Sequence, residues 1–220
     1  MPFRAVFFDL DGTLLDSIDD IADAMNFALQ GEGLPVHDTK AYKYFVGNGM
    51  GMLVERSAPA DASPALKQRL LEVVQRQYAL IWDHKTRPYE GINDLLDALR
   101  QRGLFLAVLS NKPHQATLSV AERFFPTKPF TLIQGSPSPQ LPAKPEPGVA
   151  LAMAGKLGLA PREILFMGDT KTDMETARNA EMVPVGVLWG FRTRDELVGN
   201  GAKYLLDKPL DLLPLLDAGL

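Results

Sequence analysis

The stretch Phe3-Arg4-Ala5-Val6-Phe7-Phe8-Asp9-Leu10-Asp11-Gly12-Thr13-Leu14-Leu15-Asp16 decides how this chain is read. Its first half is short, apolar and rich in Val and Phe, the pattern of a buried strand. That strand runs directly into two carboxylates one residue apart, Asp9 and Asp11, and then into Gly12, which permits a sharp turn. In an open α/β sheet the ligand crevice lies beyond the carboxyl ends of the strands, which is where Asp9 and Asp11 fall. Two like charges roughly 4 Å apart repel by about 4 kcal/mol at an effective dielectric of ~20, so the pair calls for a cation. Taken alone, the same residues also fit an acidic turn in which Asp11-Gly12 supplies only turn geometry.

Downstream, Ser17-Ile18-Asp19-Asp20 reads as a capping box, and Ile18, Ile21, Ala22, Met25, Ala28 and Leu29 recur at helical spacing until Gly31 and Gly33. Asp38 opens a short helix through Phe45, Gly47-Asn48-Gly49-Met50-Gly51 reads as a loop, and Ser63-Pro64 opens a long amphipathic helix. No convincing strand lies between 17 and 86. From Arg87 onward strands return: 104–109, ending at Ser110-Asn111-Lys112-Pro113; 130–133; 164–167, ending at Gly168-Asp169-Thr170-Lys171-Thr172-Asp173; 183–187; and 204–206. A Pro-rich patch at 136–147 carries Lys144-Pro145. Strands alternating with helices predict an α/β fold with a Rossmann-like parallel sheet and right-handed crossovers, formed by 1–16 and 87–220. The helical block 17–86 is inserted after the first strand, where a lid over the ligand edge is expected.

Composition narrows the function classes. The formal charge of −4 and the lack of a basic tail leave no electrostatic footprint for nucleic acid. With no cysteine there is no disulfide framework, thiolate metal site or Cys nucleophile. His37, His84 and His114 are widely separated and do not pair at metal-ligand spacing. No apolar run approaches the ~20 residues of a membrane span, and the N-terminal run is too short for a signal peptide, so the expectation is a cytoplasmic protein.

In a parallel sheet the strand ends carrying Asp9/Asp11, Ser110/Asn111 and Asp169/Asp173 converge at one edge, with Lys144 arriving from a loop. Asp9-x-Asp11-Gly12-Thr13, Ser110-Asn111, Lys144-Pro145 and Gly168-Asp169-x-x-x-Asp173, in that order, resemble the four signatures of the haloacid dehalogenase (HAD) superfamily over essentially the whole chain. The resemblance implies an aspartyl phosphatase: Asp9 the nucleophile, Asp11 the general acid and then base, and Ser110, the Asn111 backbone amide and Lys144 the phosphate-binding groups. It also implies Mg²⁺, held by the carboxylates of Asp9 and Asp169 and the carbonyl of Asp11. Asp173 either supports the metal through water or serves as an acid at a helix N-terminus.

Asp11 separates the chain from dehalogenases and from phosphonate-cleaving relatives, which lack an acid at that place. Val46-Gly47-Asn48-Gly49-Met50 and Val187-Leu188-Trp189-Gly190-Phe191-Arg192 resemble the phosphoglycolate phosphatase subgroup, which implies a small phosphorylated metabolite as partner, 2-phosphoglycolate first. Pyrophosphate, sugar phosphates, nucleotides, a β-phosphoglucomutase-like phosphotransfer and a non-catalytic phosphate-ligand-binding regulator are the alternatives. Gly47, Asn48 and Gly49 are expected to contact substrate, with a plain turn as the competing reading. Trp189-Gly190-Phe191 is expected to cap the core with its aromatic pair, with a place near the site as the competing reading. Two residues depart from the subgroup: Ser110 stands where Thr is usual, and Glu181 where Gly is usual.

Overall fold

The structure is a computed structural model that describes residues 3–136 and 142–218. Residues 137–141 of the Pro-rich patch lie outside the described residues. The chain divides into two compact units, Met1–Leu15 with Pro88–Leu220, and Asp16–Arg87.

In chain order the elements are β1 (Ala5–Phe8), β2 (Leu15–Asp16), α1 (Ile18–Gly31), α2 (Thr39–Phe45), α3 (Gly49–Ser57), α4 (Pro64–Ile81), β3 (Arg87–Pro88) and α5 (Ile92–Gln101). They continue with β4 (Phe105–Pro113), α6 (His114–Phe124), β5 (Leu132–Ser136), α7 (Gly148–Leu157), β6 (Ile164–Gly168), α8 (Lys171–Asn179), β7 (Val183–Val187), α9 (Arg194–Gly199), β8 (Tyr204–Leu206) and α10 (Leu212–Asp217).

Unit one is built on a six-stranded parallel sheet of order β5-β4-β1-β6-β7-β8. β1 sits between β4 and β6 with all four residues buried, which explains its unbroken apolar run. Successive side chains of a strand point to opposite faces. Ala5 and Phe7 accordingly join one core cluster with Ala150, Met153 and Ala154 of α7 and Ala177 of α8. The register sets Phe8 level with Val108 and Met167. Asp9 therefore leaves the sheet one residue beyond that line, and Ser110 and Asp169 lie two beyond it.

β4 and β5 run past their apolar stretches. The predicted strands end at 109 and 133, whereas the ladder continues to Pro113 and Ser136, with a register shift between Leu109 and Pro113. Backbone pairs at Leu109 and Pro113 bracket Ser110, Asn111 and Lys112, which lie in the irregular step of the ladder between them.

Unit two packs α1 along α4, with α2 and α3 completing it. Asp38 caps α2 by accepting from the Ala41 amide at 2.9 Å, and Ser63 caps α4 by accepting from the Leu66 amide at 3.2 Å. The capping box expected at Ser17 does not form: Ser17 has ψ of 4° and makes no side-chain capping bond. Its intended partner, the buried Asp20 carboxylate, instead accepts from the Lys85 amide, the Thr86 amide at 2.8 Å and the Thr86 hydroxyl at 2.7 Å. Those bonds tie the start of the unit to its end. The expected glycine loop is also shorter, because Gly49, Met50 and Gly51 already belong to α3. His37 is structural, its Nε2 lying 2.8 Å from the Ser57 carbonyl and its ring edge-on to Tyr42 and Phe45. No helix among the described residues is long and apolar enough to cross a membrane.

Candidate active site

Asp9 follows β1 directly, and its amide donates to the Met167 carbonyl at 2.9 Å, extending the β1/β6 pairing by one step. The chain then turns tightly, the Leu10 carbonyl accepting from the Leu14 and Leu15 amides at 2.9 and 3.0 Å. Gly12 sits in this turn at φ 86°, and a Cβ there would overlap the Asp169 carboxylate. Glycine is thus required twice over, by backbone conformation and by space.

Asp169 follows β6 and is fully buried. The Thr13 hydroxyl donates to its Oδ1 at 3.0 Å and the Phe191 amide to its Oδ2 at 2.9 Å. Trp189 braces the same place, its indole Nε1 donating to the Thr13 carbonyl at 2.9 Å. A Cβ on Gly190 would collide with the Cβ of Asp169 and the carbonyl of Gly12. Trp189-Gly190-Phe191 meets both of its readings, core cap and neighbour of the site: the Phe191 ring is buried, and its main chain holds a carboxylate. A backbone amide carries no signature in a sequence, so the bond from Phe191 to Asp169 is visible only in the structure.

Asp173 occupies the third position of α8. Its Oδ2 accepts from the Thr170 amide at 3.0 Å and hydroxyl at 2.7 Å, and its Oδ1 accepts from Lys144 Nζ at 2.7 Å. The helix-N-terminal reading of Asp173 thus has its bonds, and the same carboxylate belongs to the site. Lys144 Nζ also reaches Asp9 Oδ1 at 2.8 Å and lies 5.8 Å from the Phe166 ring centroid. The ammonium is buried between two carboxylates, and both must stay near it to offset its desolvation.

Asn111 acts on Lys144 from the main chain. Its side-chain Oδ1 accepts from the Lys144 amide at 2.9 Å, and its Nδ2 donates to the Lys144 carbonyl at 3.1 Å. Ser110 is buried, its Oγ accepting from the Lys112 amide at 3.2 Å. Lys112 follows Asn111 at the same strand end. Its Nζ lies 2.9 and 2.8 Å from the two oxygens of Asp11, and the side chains are 6% and 15% exposed. A signal was available: the motifs supply four aspartates against one lysine, and Lys112 is the next cation on the same strand end.

Carboxylate oxygens of Asp9, Asp169 and Asp173 lie within 4.8 Å of one another. Burial pushes the Asp169 carboxyl up to about 8, with repulsion from Asp173 and Asp9 adding to it and the Phe191 and Thr13 bonds opposing. Burial likewise raises Asp9 to about 7, where attraction from Lys144 opposes and Asp173 adds. For Lys144 burial works downward, but the two carboxylates outweigh it and hold the ammonium above its ordinary value. Three buried acids around one base leave the cluster two charges negative when ionised. This donor set is all oxygen, with neither histidine nor cysteine, so it fits a hard divalent cation. The Asp11 carboxylate is not in the cluster; it faces Lys112.

Gly47, Asn48 and Gly49 belong to unit two and are described within it. The Asn48 Oδ1 accepts from Arg56 Nη2 at 2.8 Å, and Arg56 Nη1 donates to the Phe45 carbonyl at 3.0 Å, so Arg56 pins this turn from both sides.

The model of the haloacid dehalogenase-like hydrolases matches residues 6–187. A phosphoglycolate phosphatase of Pseudomonas putida is 32% identical over 96% of this chain and 79% of its own length. One from Salmonella paratyphi A is 31% identical over 97% of this chain and 92% of its own. Among solved structures, a protein of Haemophilus somnus described as a predicted phosphoglycolate phosphatase superposes with a TM-score of 0.91. It is 28% identical, and the alignment covers 98% of this chain and 99% of that one. CbbY of Rhodobacter sphaeroides, solved with phosphate, is 19% identical with a TM-score of 0.78, a likeness of fold alone.

Proposed function

Because this chain belongs to the haloacid dehalogenase-like hydrolases, in which a phosphatase acts on a small phosphorylated compound, we propose that it is a Mg²⁺-dependent phosphomonoesterase whose substrate is 2-phosphoglycolate. The observation that carries this reading is Asp9, at the carboxyl end of the central strand, bonded to Lys144 beside the buried acids Asp169 and Asp173. The relatives named above supply the substrate.

In the first half-reaction an oxygen of Asp9 bonds to phosphorus as the bond from phosphorus to the ester oxygen breaks. Lys144 orients Asp9 through Oδ1 and is placed to neutralise a phosphoryl oxygen beside it. The Ser110 hydroxyl and the Asn111 amide bind the other phosphoryl oxygens in this reading. The Asn111 side chain has the separate task of fixing the Lys144 main chain. Asp11 gives its proton to the departing alkoxide. In the second half it takes a proton from the attacking water, and the bond from Asp9 to phosphorus breaks, restoring the carboxylate.

Mg²⁺, when bound by the Asp9 and Asp169 carboxylates and the Asp11 carbonyl, supplies charge neutralisation and Lewis acidity at the phosphoryl oxygens. Asp173 holds Lys144 and the start of α8. Residues 17–86 serve as the lid, with Gly47, Asn48 and Gly49 as its substrate-facing turn.

The test is a panel of phosphomonoesters with Mg²⁺, including 2-phosphoglycolate, sugar phosphates, nucleotides and pyrophosphate, scored by kcat/KM. The highest value is expected for 2-phosphoglycolate. Preference for another ester would replace the substrate, and phosphate release from none would point to a binding protein of the same fold.

A further inference from the structure

The acid cluster leans on a residue that no step of the reaction uses. Trp189 stands just beyond β7, and its indole Nε1 donates to the Thr13 carbonyl at 2.9 Å, across 176 positions of sequence. Thr13 in turn donates through its hydroxyl to Asp169 Oδ1 at 3.0 Å. Thr13 is fully buried, so one enclosed residue joins the indole to the carboxylate.

How firmly Thr13 is placed decides what that link does. Its amide reaches the Leu10 carbonyl only at 3.4 Å, longer than the usual ~2.9 Å. The residue before it, Gly12, stands at φ 86° and is of the type with the freest backbone. The next amide, that of Leu14, binds the Leu10 carbonyl at 2.9 Å, which fixes the turn's own shape without tying Thr13 to the chain around it. The indole N–H supplies such a tie: it is a donor only, carried far from its own main chain, and it suits a buried carbonyl. Gly190 and Phe191 keep the link in place. A Cβ on Gly190 has no room between the Asp169 Cβ and the Gly12 carbonyl, and the Phe191 amide holds Asp169 Oδ2.

We propose that Trp189 is a positioning residue of the metal site: its indole N–H fixes the Thr13 main chain, and Thr13 thereby holds Asp169 in the direction that receives the cation. This inference rests on the metal-dependent phosphatase reading above and adds the residue that orders a metal ligand in advance. Without the indole N–H, the buried Thr13 carbonyl loses its partner and its main chain is drawn toward another. The hydroxyl moves with it.

The experiment uses Mn²⁺ as the probe, since it takes the same oxygen ligands as Mg²⁺. Its free ion gives an EPR signal that binding removes, so affinity is read without turnover. The full chain is compared as wild type, as Trp189→Phe, and with benzothienylalanine at position 189 alone, which keeps the ring shape and exchanges the N–H for sulfur. Each is made with and without Thr13→Val. Loss of the N–H should weaken Mn²⁺ binding about 10-fold. In the Thr13→Val background the same loss should weaken it further by less than about 2-fold, because the route to Asp169 is already cut. Should Trp189→Phe fail to fold, the isosteric replacement supplies the reading. Unchanged affinity in the benzothienylalanine protein would overturn the inference. An equal loss with and without the Thr13 hydroxyl would overturn it too, since Trp189 would then act by another route. Binding of no Mn²⁺ by the wild type, or undiminished binding by Asp169→Asn, would defeat the metal reading itself, an outcome distinct from the other two.

Discussion

Asp169 and the two groups that hold it differ in how visible they are in a sequence. Its own identity stands in a motif, the Thr13 hydroxyl stands in another motif 156 residues away, and the Phe191 amide stands in none. The two bonds fix the carboxylate's direction before any ion arrives. Thr13→Val keeps the shape of the side chain but removes one donor from a buried carboxylate. Measured in urea, it should cost about 1.5–3 kcal/mol of stability. The same change should weaken the apparent Mg²⁺ affinity by about 10- to 100-fold, the usual effect of removing a group that orients a metal ligand. A Mg²⁺ titration of the rate reads the second effect, and an unchanged midpoint would show that Thr13 does not orient Asp169. At this scale the meeting of Asp9, Lys144, Asp169 and Asp173 was legible, because each stands in a motif at a strand end or in the loop beside it. Lys112 and the Asn111 side chain were not, since their tasks, pairing Asp11 and clamping the Lys144 main chain, exist only once distant segments meet.

Among the elements, the long ones were legible and their ends were less so. Apolar periodicity located β1, β6, α1 and α4, because burial on a face dictates residue type; the start of α3 reads in sequence as a glycine loop. It did not locate the ends of β4 and β5, where backbone ladders support polar residues, nor the fate of Asp20, whose bonds go to Lys85 and Thr86 across the unit. The turn after α8 repays attention to one residue. The Met182 amide donates to the Ala177 carbonyl at 2.8 Å and the Glu181 amide to the Arg178 carbonyl at 3.1 Å, a Schellman closure. Glu181 occupies its left-handed position at φ 56°, where glycine is favoured. The unusual residue has therefore kept the turn and accepted the strain. A side chain in that conformation costs about 1–2 kcal/mol, and glycine returns some of the gain as lost chain entropy. Glu181→Gly should raise stability by roughly 0.5–1 kcal/mol in chemical denaturation. A destabilising result would mean the Glu181 side chain supplies a contact worth more than the strain.

For the whole molecule, the acidic cluster links stability to pH and to metal. Burial, followed by mutual repulsion, raises Asp169 to about 8, and burial raises Asp9 to about 7 despite Lys144. In the unfolded chain both ionise near pH 4. From about pH 4 up to about 7 for Asp9 and about 8 for Asp169, the folded state therefore keeps protons that the unfolded state has released. Stability from these two groups is greatest below the unfolded value and is lost as pH rises through the folded ones. A divalent cation replaces those protons, so its stabilising effect should grow over the same window. Thermal melts of chelator-treated protein should show Tm falling from about pH 5 to about pH 8, with a larger rise on adding Mg²⁺ at the higher pH. An equal Mg²⁺-induced rise at both would indicate that the cation binds elsewhere.

The account rests most heavily on Asp9 becoming covalently phosphorylated. Acid quenching during turnover of 2-phosphoglycolate, followed by peptide mass analysis, tests it directly, and Asp11→Asn should let the intermediate accumulate by slowing its hydrolysis. The predicted result is one phosphoryl group on the peptide containing Asp9, absent from Asp9→Asn along with turnover. Phosphate release at an undiminished rate by Asp9→Asn would contradict the account.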